Sequence, residues 1–119
     1  GNGARTIPLV TRGCGSTSLI NGITEFDPGA AIGLHFHDCE ESVMVLEGDA
    51  IAEIDGIRHP LRTGDTTWIP ANVPHRFLNE TDSVMRIFWT YASVSATRTM
   101  VATGVCQSID DEHAQATRT

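Results

Sequence analysis

The feature that most constrains the fold is a succession of short β-prone runs separated by Gly, Pro, Asp and Asn. No stretch places apolar residues at the i, i+3, i+4, i+7 spacing of an amphipathic helix. Many short strands with regular turn signals are typical of an antiparallel sandwich or barrel, so we predict an all-β fold. The runs are 18–26, 31–37, 42–47, 50–54, 57–61, 66–69, 75–79 and 84–92.

Two turns in this pattern have a specific local mechanism. Pro28-Gly29 suits a type II turn, and Asp55-Gly56 between two strand-like runs is the strongest short-range signal for a β-hairpin. In the last run, Met85, Ile87, Trp89 and Tyr91 alternate with Arg86, Phe88 and Thr90. This period of two predicts a strand, but it does not indicate which face is interior.

Length and composition set the broad class of the protein. With 119 residues the chain can build one hydrophobic core, so we predict a single domain over 1–106 and a polar C-terminal tail over 107–119. The formal net charge of −7 and the absence of lysine argue against nucleic acid or an anionic membrane as partners. No apolar stretch approaches the roughly 20 residues that span a bilayer.

Cysteine usage and the N-terminal residues bear on the compartment. Cys14, Cys39 and Cys106 form no CxxC pair, and we expect three reduced thiols. The N-terminal segment GNGARTIPLV shows no signal-peptide pattern. We therefore expect a cytoplasmic protein, with Cys39 a bystander beside the histidines.

The segment GLHFHDCEESVMVLEGD places two histidines one residue apart. Residues i and i+2 of a strand project to the same face, so His35 and His37 are expected to point together into the barrel. Glu41 follows after a short turn, and His75 lies downstream. Three imidazoles and a carboxylate suit one divalent transition-metal ion per chain, with Fe favoured and Mn, Ni, Cu or Zn as alternatives. Four such ligands leave two positions open on a six-coordinate ion.

The spacing around these residues resembles the two motifs of the cupin superfamily. The first motif, G-x5-HxH-x3,4-E-x6-G, is matched from Gly29 to Gly48, and the second, G-x5-PxG-x2-H-x3-N, from Gly64 to Asn79. Asn72 stands where the family usually has glycine, and asparagine tolerates the left-handed backbone that such a turn requires.

The resemblance implies a small antiparallel double-stranded β-helix, or jelly-roll barrel. It also implies that His35, His37, Glu41 and His75 are the metal ligands. Glu40 is a neighbouring alternative whose spacing falls outside the motif. Other polar and aromatic residues have structural interpretations: His59 and His113 at the surface, Asn79 holding a strand end, and Tyr91 as a weak candidate for acid–base catalysis.

Three functions remain open at this point. We favour a metal-dependent, Fe(II)-type oxygenase acting on a small organic substrate. The alternatives are a non-oxidative isomerase, lyase or decarboxylase for a sugar-like or carboxylated compound, and a ligand-binding or sensor barrel without turnover. Small single-domain cupins commonly pair, so we expect a homodimer, with the N-terminal TIPLV segment as the packed or exchanged strand.

Overall fold

The computed structural model describes residues 3–109, which form eleven β-strands in two antiparallel sheets. The strands are β1 Ala4–Val10, β2 Ile20–Phe26, β3 His35–His37, β4 Glu41–Glu47, β5 Ala50–Ile54, β6 Ile57–Leu61, β7 Thr66–Ile69, β8 His75–Leu78, β9 Met85–Tyr91, β10 Thr97–Met100 and β11 Cys106–Ser108. A short 3-10 turn, Arg12–Cys14, follows β1. Within residues 3–109, no helix has the length and apolarity to cross a membrane.

The chain passes repeatedly from one sheet to the other. The five-stranded sheet has the order β1-β2-β9-β4-β7, and the six-stranded sheet has the order β11-β10-β3-β8-β5-β6. From β2 to β9, consecutive strands lie in alternate sheets, except that β5 and β6 form a hairpin within the six-stranded sheet. This arrangement is the jelly-roll barrel expected from the sequence, and the all-β prediction is confirmed.

The hydrophobic core lies between the two sheets. On β9, the residues Met85, Ile87, Trp89 and Tyr91 are buried while Arg86 is exposed. The face with these four residues is therefore the interior one, which the sequence pattern alone did not indicate. On the facing sheet, Ala52 and Phe77 are fully enclosed. Alternate residues along β2, β4 and β9 therefore contribute to one shared interior, which also contains four buried polar residues, His35, His37, Glu41 and His75.

The turns follow the chemistry predicted for them. Asp55 and Gly56 have φ angles of 51° and 79° and alone separate β5 from β6, as a type I′ hairpin requires. Asn72 has a φ of 64°, so it occupies the left-handed conformation that the resembled motif assigns to glycine. Its backbone N–H donates to the carbonyl of His37 at 2.7 Å, which ties this turn to the metal motif.

Three strands lie outside the predicted runs. β1 contains the whole TIPLV segment and pairs with β2 of the same chain. β10 and β11 pair with each other, and β10 also pairs with β3. The domain boundary placed at residue 106 therefore falls inside a strand, and Ile109 is buried in the core. The remainder of the predicted tail, including His113, lies outside the described residues.

Candidate metal centre

Three strands bring the four candidate ligands together inside the barrel. His35 and His37 occupy the ends of β3, Glu41 begins β4, and His75 begins β8. His35 and His75 are directly opposed in the β3–β8 pair, so their side chains share the inner face. All four residues are buried, with at most 5% of each exposed.

The imidazoles form a compact group. The ring centroids are 4.9 Å apart for His35 and His37, 4.5 Å for His35 and His75, and 5.1 Å for His37 and His75. One ring nitrogen from each histidine lies within 4.8 Å of the others. Glu41 Oε1 adjoins this group, 3.0 Å from His75 Nε2 and 3.5 Å from His37 Nε2.

Backbone carbonyls hold each ring in one orientation. The Nδ1 atoms lie 2.7 Å from the carbonyl oxygen of Gly33 for His35, 3.0 Å from that of Thr97 for His37, and 2.9 Å from that of Val73 for His75. A carbonyl oxygen can only accept, so each Nδ1 carries the hydrogen in the neutral ring. The lone pair then resides on Nε2, which is the tautomer that metal-binding histidines use.

The inward atoms of this site fit a cation. His37 Nε2, His75 Nε2 and Glu41 Oε1 are fully buried, and none has a hydrogen-bond partner among the described residues despite their proximity. Neutral Nε2 atoms with lone pairs cannot donate to a carboxylate, so these acceptors face one another. Such an arrangement is costly unless a cation lies between them, and a divalent ion satisfies all of them together.

The protonation states agree with this interpretation. Burial, as the largest cause, lowers the pKa of His35 to about 2 and that of His37 to about 4. Both imidazoles are therefore neutral at pH 7, because desolvation disfavours the charged ring. Neutral imidazole is the form that binds transition metals.

Two aromatic residues form the wall beside His37. The ring of Tyr91 lies 4.5 Å from the ring of His37, and Trp89 stacks on Tyr91 with an interplanar angle of 27°. Gly22 makes room for this wall, since a Cβ there would lie 2.5 Å from Trp89 Cζ2. Trp89 Nε1 donates to Thr24 Oγ1 at 2.9 Å, which fixes the indole.

Several other candidates lie away from the cluster. Glu40 accepts a hydrogen bond from the exposed Trp68 at 2.8 Å, so its carboxylate is directed outward. His59 is exposed on β6, as predicted. Cys39 is half-buried, and burial raises its pKa to about 11, so the thiol is protonated at neutral pH. Asn79 donates to three backbone carbonyls and holds a strand end, as interpreted from the sequence.

Sequence reasoning missed Arg98. It lies on β10 directly opposite His37, so its side chain belongs to the inner face. The run Thr97–Met100 has no alternation of apolar and polar residues, and it falls outside both motifs. No local signal could have placed this arginine beside the histidines, because its position depends on strand pairing.

Comparison with known families shows to which protein family the chain belongs. A family model described as a cupin domain matches residues 22–91, more than half of the chain. This protein is a cupin. The family predicted from the two motifs is thereby confirmed, and the paired histidines of β3 and His75 all fall within the matched region.

Curated relatives of this cupin differ in their names and share only part of their length with it. Protein SchB from Streptomyces halstedii is 40% identical over 74 residues, 61% of this chain and 54% of SchB. Dimethylsulfoniopropionate lyase DddW from Ruegeria pomeroyi is 39% identical over 57 residues, 48% of this chain and 38% of the lyase. Quercetin 2,3-dioxygenase from Bacillus subtilis is 42% identical over 50 residues, 41% of this chain and 15% of the dioxygenase. The cupin therefore spans about half or less of these relatives.

Solved structures agree with the fold. An oxalate oxidase superposes with a TM-score of 0.77 at 21% identity, covering 84% of this chain and 56% of that one. The polyketide cyclase RemF from Streptomyces resistomycificus superposes with a TM-score of 0.73 at 18% identity, covering 90% of this chain and 71% of that one. Proteins with different activities thus share this barrel, so the fold alone does not indicate the activity, which has to be inferred from the residues of the site.

Proposed function

We propose that this cupin is a metal-dependent enzyme in which His35, His37, Glu41 and His75 hold one divalent transition-metal ion. The observation that carries the proposal is the set of buried Nε2 and carboxylate atoms that face one another while every Nδ1 is held by a backbone carbonyl. In its specific form, we propose an Fe(II)-type oxygenase acting on a small organic substrate.

The residues of the site have separate roles in this proposal. The ion would supply Lewis-acid and redox chemistry. Glu41 offsets part of its charge, and the backbone carbonyls keep the three rings in the ligating tautomer. Tyr91 and Trp89 exclude bulk water from one side of the cluster, which strengthens the electrostatic interactions inside. The partial similarity to quercetin 2,3-dioxygenase supports the oxidative form.

Metal content is the first test. We expect close to one Fe, Mn, Ni, Cu or Zn per chain in the purified protein and a large loss of that metal in His37→Ala. The matched control is His59→Ala, because His59 is an exposed histidine on β6. Equal metal content in His37→Ala and His59→Ala would contradict the assignment.

Ligand access to the metal is the second test. The Fe(II)-loaded protein is expected to bind nitric oxide, a surrogate for dioxygen, and to give the electron paramagnetic resonance signal of the adduct. Oxygen consumption is then screened against small organic substrates. An Fe(II) form that admits no nitric oxide would overturn the oxygenase.

Non-oxidative chemistry is the second candidate function, and the similarity to a dimethylsulfoniopropionate lyase favours it. The same residues would hold the ion, which would act as a Lewis acid alone. Substrate conversion under strict anaerobiosis, with no oxygen consumed in air, would select this function over the oxygenase. Stoichiometric ligand binding without conversion under either atmosphere would select the sensor or ligand-binding function.

A further inference from the structure

The two sheets leave an open cleft where their last strands face each other. The five-stranded sheet ends at β7, and the six-stranded sheet ends at β6. Between these strands lies a cavity of about 310 Å³, which is lined by Ile54, His59, Leu61, Thr66, Thr67 and Trp68. This volume lies at the lower end of the range of about 300–1,000 Å³ that is usual for small-molecule sites. The β6–β7 cleft therefore has room for one small organic molecule.

The β6–β7 cleft continues the interior of the barrel. In the β5–β6 pair, His59 lies opposite the fully buried Ala52, so both side chains share the inner face of that sheet. In the β4–β7 pair, Thr67 lies opposite the fully buried Val43 and faces inward for the same reason. His59 is nonetheless exposed, because the other sheet ends at β7 and leaves the inner face of β6 uncovered.

The inner end of the cleft adjoins the proposed metal ligands. Ile54 lies directly opposite His75 in the β5–β8 pair, and His75 lies opposite His35 in the β3–β8 pair, so the three side chains form one row. On the facing sheet, Ile69 lies opposite Glu41. Ile69 is fully buried, whereas Ile54 is partly buried and lines the cleft. Ile54 is therefore the residue of its row that lies between His75 and the cleft.

The chemistry of the lining suits a neutral and largely apolar molecule. Ile54 and Leu61 supply aliphatic surface, and none of the six described lining residues is Asp, Glu, Lys or Arg. Thr67 Oγ1 donates to the carbonyl oxygen of Val43 at 3.4 Å, so the hydroxyl oxygen can itself accept a hydrogen bond from a ligand. The imidazole of His59 adds a second polar group. A ligand hydroxyl can be satisfied here, whereas an ionic group would find no opposite charge in the lining.

We propose that the β6–β7 cleft binds small neutral molecules that have an apolar body and a hydroxyl group, and that such molecules are the substrate class of the metal centre. Ile54 is then a specificity-determining residue, because its side chain limits how closely a ligand in the cleft approaches His75. The substrate assignment rests on the proposed function. Binding in the cleft does not, since it requires only residues of the metal-free protein.

Three ligands of similar size test the cleft on the metal-free protein. Benzyl alcohol is compared with benzoate and benzylammonium, which carry a negative and a positive charge, and binding is followed by amide chemical shifts in ¹⁵N NMR. We expect benzyl alcohol to shift the signals of residues 54–61 and 66–69 and to bind about tenfold more tightly than either ion, because the lining offers an ion no partner. Equal affinity for one of the ions, no binding of benzyl alcohol, or shifts confined to other residues would overturn the proposal.

A matched pair of substitutions assigns the binding to the cleft. Ile54→Phe adds volume at the inner end of the cleft and is expected to weaken benzyl alcohol binding about tenfold. Ile32→Phe is the control, because Ile32 is also a partly buried isoleucine packed against the core but lines a different cavity, of about 260 Å³. Wild-type affinity in Ile54→Phe, or an equal loss in Ile32→Phe, would overturn the proposal. If either variant fails to fold, the position of the shifted signals in the wild-type protein decides.

A paramagnetic ion tests the substrate assignment. In Mn(II)-loaded protein, the protons of bound benzyl alcohol are expected to relax faster than in Zn(II)-loaded protein, because the unpaired electrons of the ion act over the short distance past Ile54. Equal relaxation in the two forms would contradict the assignment of such molecules as substrates.

The two proposals fail in different ways. A protein that holds one metal ion per chain but binds no benzyl alcohol contradicts the cleft site and leaves the proposed function standing. A protein that binds benzyl alcohol in the cleft but retains no transition metal contradicts the proposed function and leaves the cleft site standing.

Discussion

The phenol ring of Tyr91 packs against the imidazole of His37, with the two ring centroids 4.5 Å apart. The imidazole is thus held on one side by the carbonyl of Thr97 and on another by an aromatic face. Tyr91 in turn stacks on Trp89, 4.9 Å away, and both rings are buried. Tyr91 therefore acts as a positioning residue for His37, whatever further role its hydroxyl has.

Substitution of Tyr91 tests this role. Tyr91→Phe keeps the ring, so we expect unchanged metal content. Tyr91→Ala removes a buried aromatic ring and is expected to cost about 3–5 kcal/mol of unfolding free energy and to lower metal retention. Urea unfolding and elemental analysis measure both effects. A Tyr91→Ala protein as stable as the wild type would contradict the packing role, and a Tyr91→Phe protein that kept metal but lost turnover would assign proton transfer to the hydroxyl.

The metal-free protein is expected to lose stability as the pH falls below about 6.5. His35 and His37 have folded-state pKa values of about 2 and about 4, whereas an unfolded histidine titrates near 6.5. Below pH 6.5 the unfolded chain binds protons that the folded chain excludes. The stability contribution of these two residues is therefore fully present above pH 6.5 and declines toward the folded pKa values, by up to about 1.4 kcal/mol per pH unit for each histidine.

Urea unfolding of chelator-treated protein from pH 8 to pH 5 measures this slope. The His35→Gln/His37→Gln double variant is the control, since carboxylates elsewhere also respond to acid. Its stability should vary less with pH than that of the wild type. Parallel curves for the two proteins would refute the assignment of the acid sensitivity to these histidines.

Local sequence signals account for the strands that hold the ligands. The runs at β5, β6 and β7 match their observed bounds because turn residues enclose them, and Asp55-Gly56 fixes the intervening hairpin. The period of a strand was also sufficient to orient His35 and His37 to the same face. The position of His75 on that face was implied only by the family motif, because the local sequence does not indicate which distant strands pair.

The missed elements depend on tertiary pairing. All four residues of β10 are partly buried, so this strand has no inside–outside alternation for a sequence pattern to show. β11 is a polar segment whose strand conformation accompanies its pairing with β10. Arg98 lies opposite His37 only because of the β10–β3 register, which the local sequence does not indicate.

Asn79 is expected to act on stability and not on metal binding. Its Nδ2 donates to the carbonyls of Phe26, Asp27 and Ser83, and its Oδ1 accepts from Thr81. Asn79→Ala removes all of these hydrogen bonds, including the buried one to Phe26, and is expected to cost on the order of 3 kcal/mol. Metal stoichiometry should persist in the folded fraction.

A turn substitution serves as the control for Asn79→Ala. Asn72→Gly places glycine at a φ of 64°, which glycine adopts without strain, so we expect less than about 1 kcal/mol of change. Chemical denaturation ranks the two variants. Equal unfolding free energies for Asn79→Ala and the wild type would show that the hydrogen bonds seen at Asn79 contribute nothing.

The outer face of the five-stranded sheet leads to the last prediction, a homodimer. Ile7 pairs with Ile23, Ile23 pairs with Phe88, and Phe88 pairs with Met44, which makes an apolar row across β1, β2, β9 and β4. These residues alternate with the buried set, so the row faces away from the core. We propose that this row is the interface of a homodimer, because a two-fold axis would place the row against its own copy and cover its apolar surface.

We expect the wild-type protein to have the mass of a dimer by light scattering at micromolar concentration. Phe88→Glu places a charge in the middle of the row and should give a monomer, because burying an unpaired carboxylate across the interface is costly. Ile57→Glu is the control, since Ile57 is 61% exposed on β6 at the edge of the other sheet, and it should leave the dimer intact. A monomeric wild type, or a Phe88→Glu protein that remains dimeric, would rule out this face as the interface.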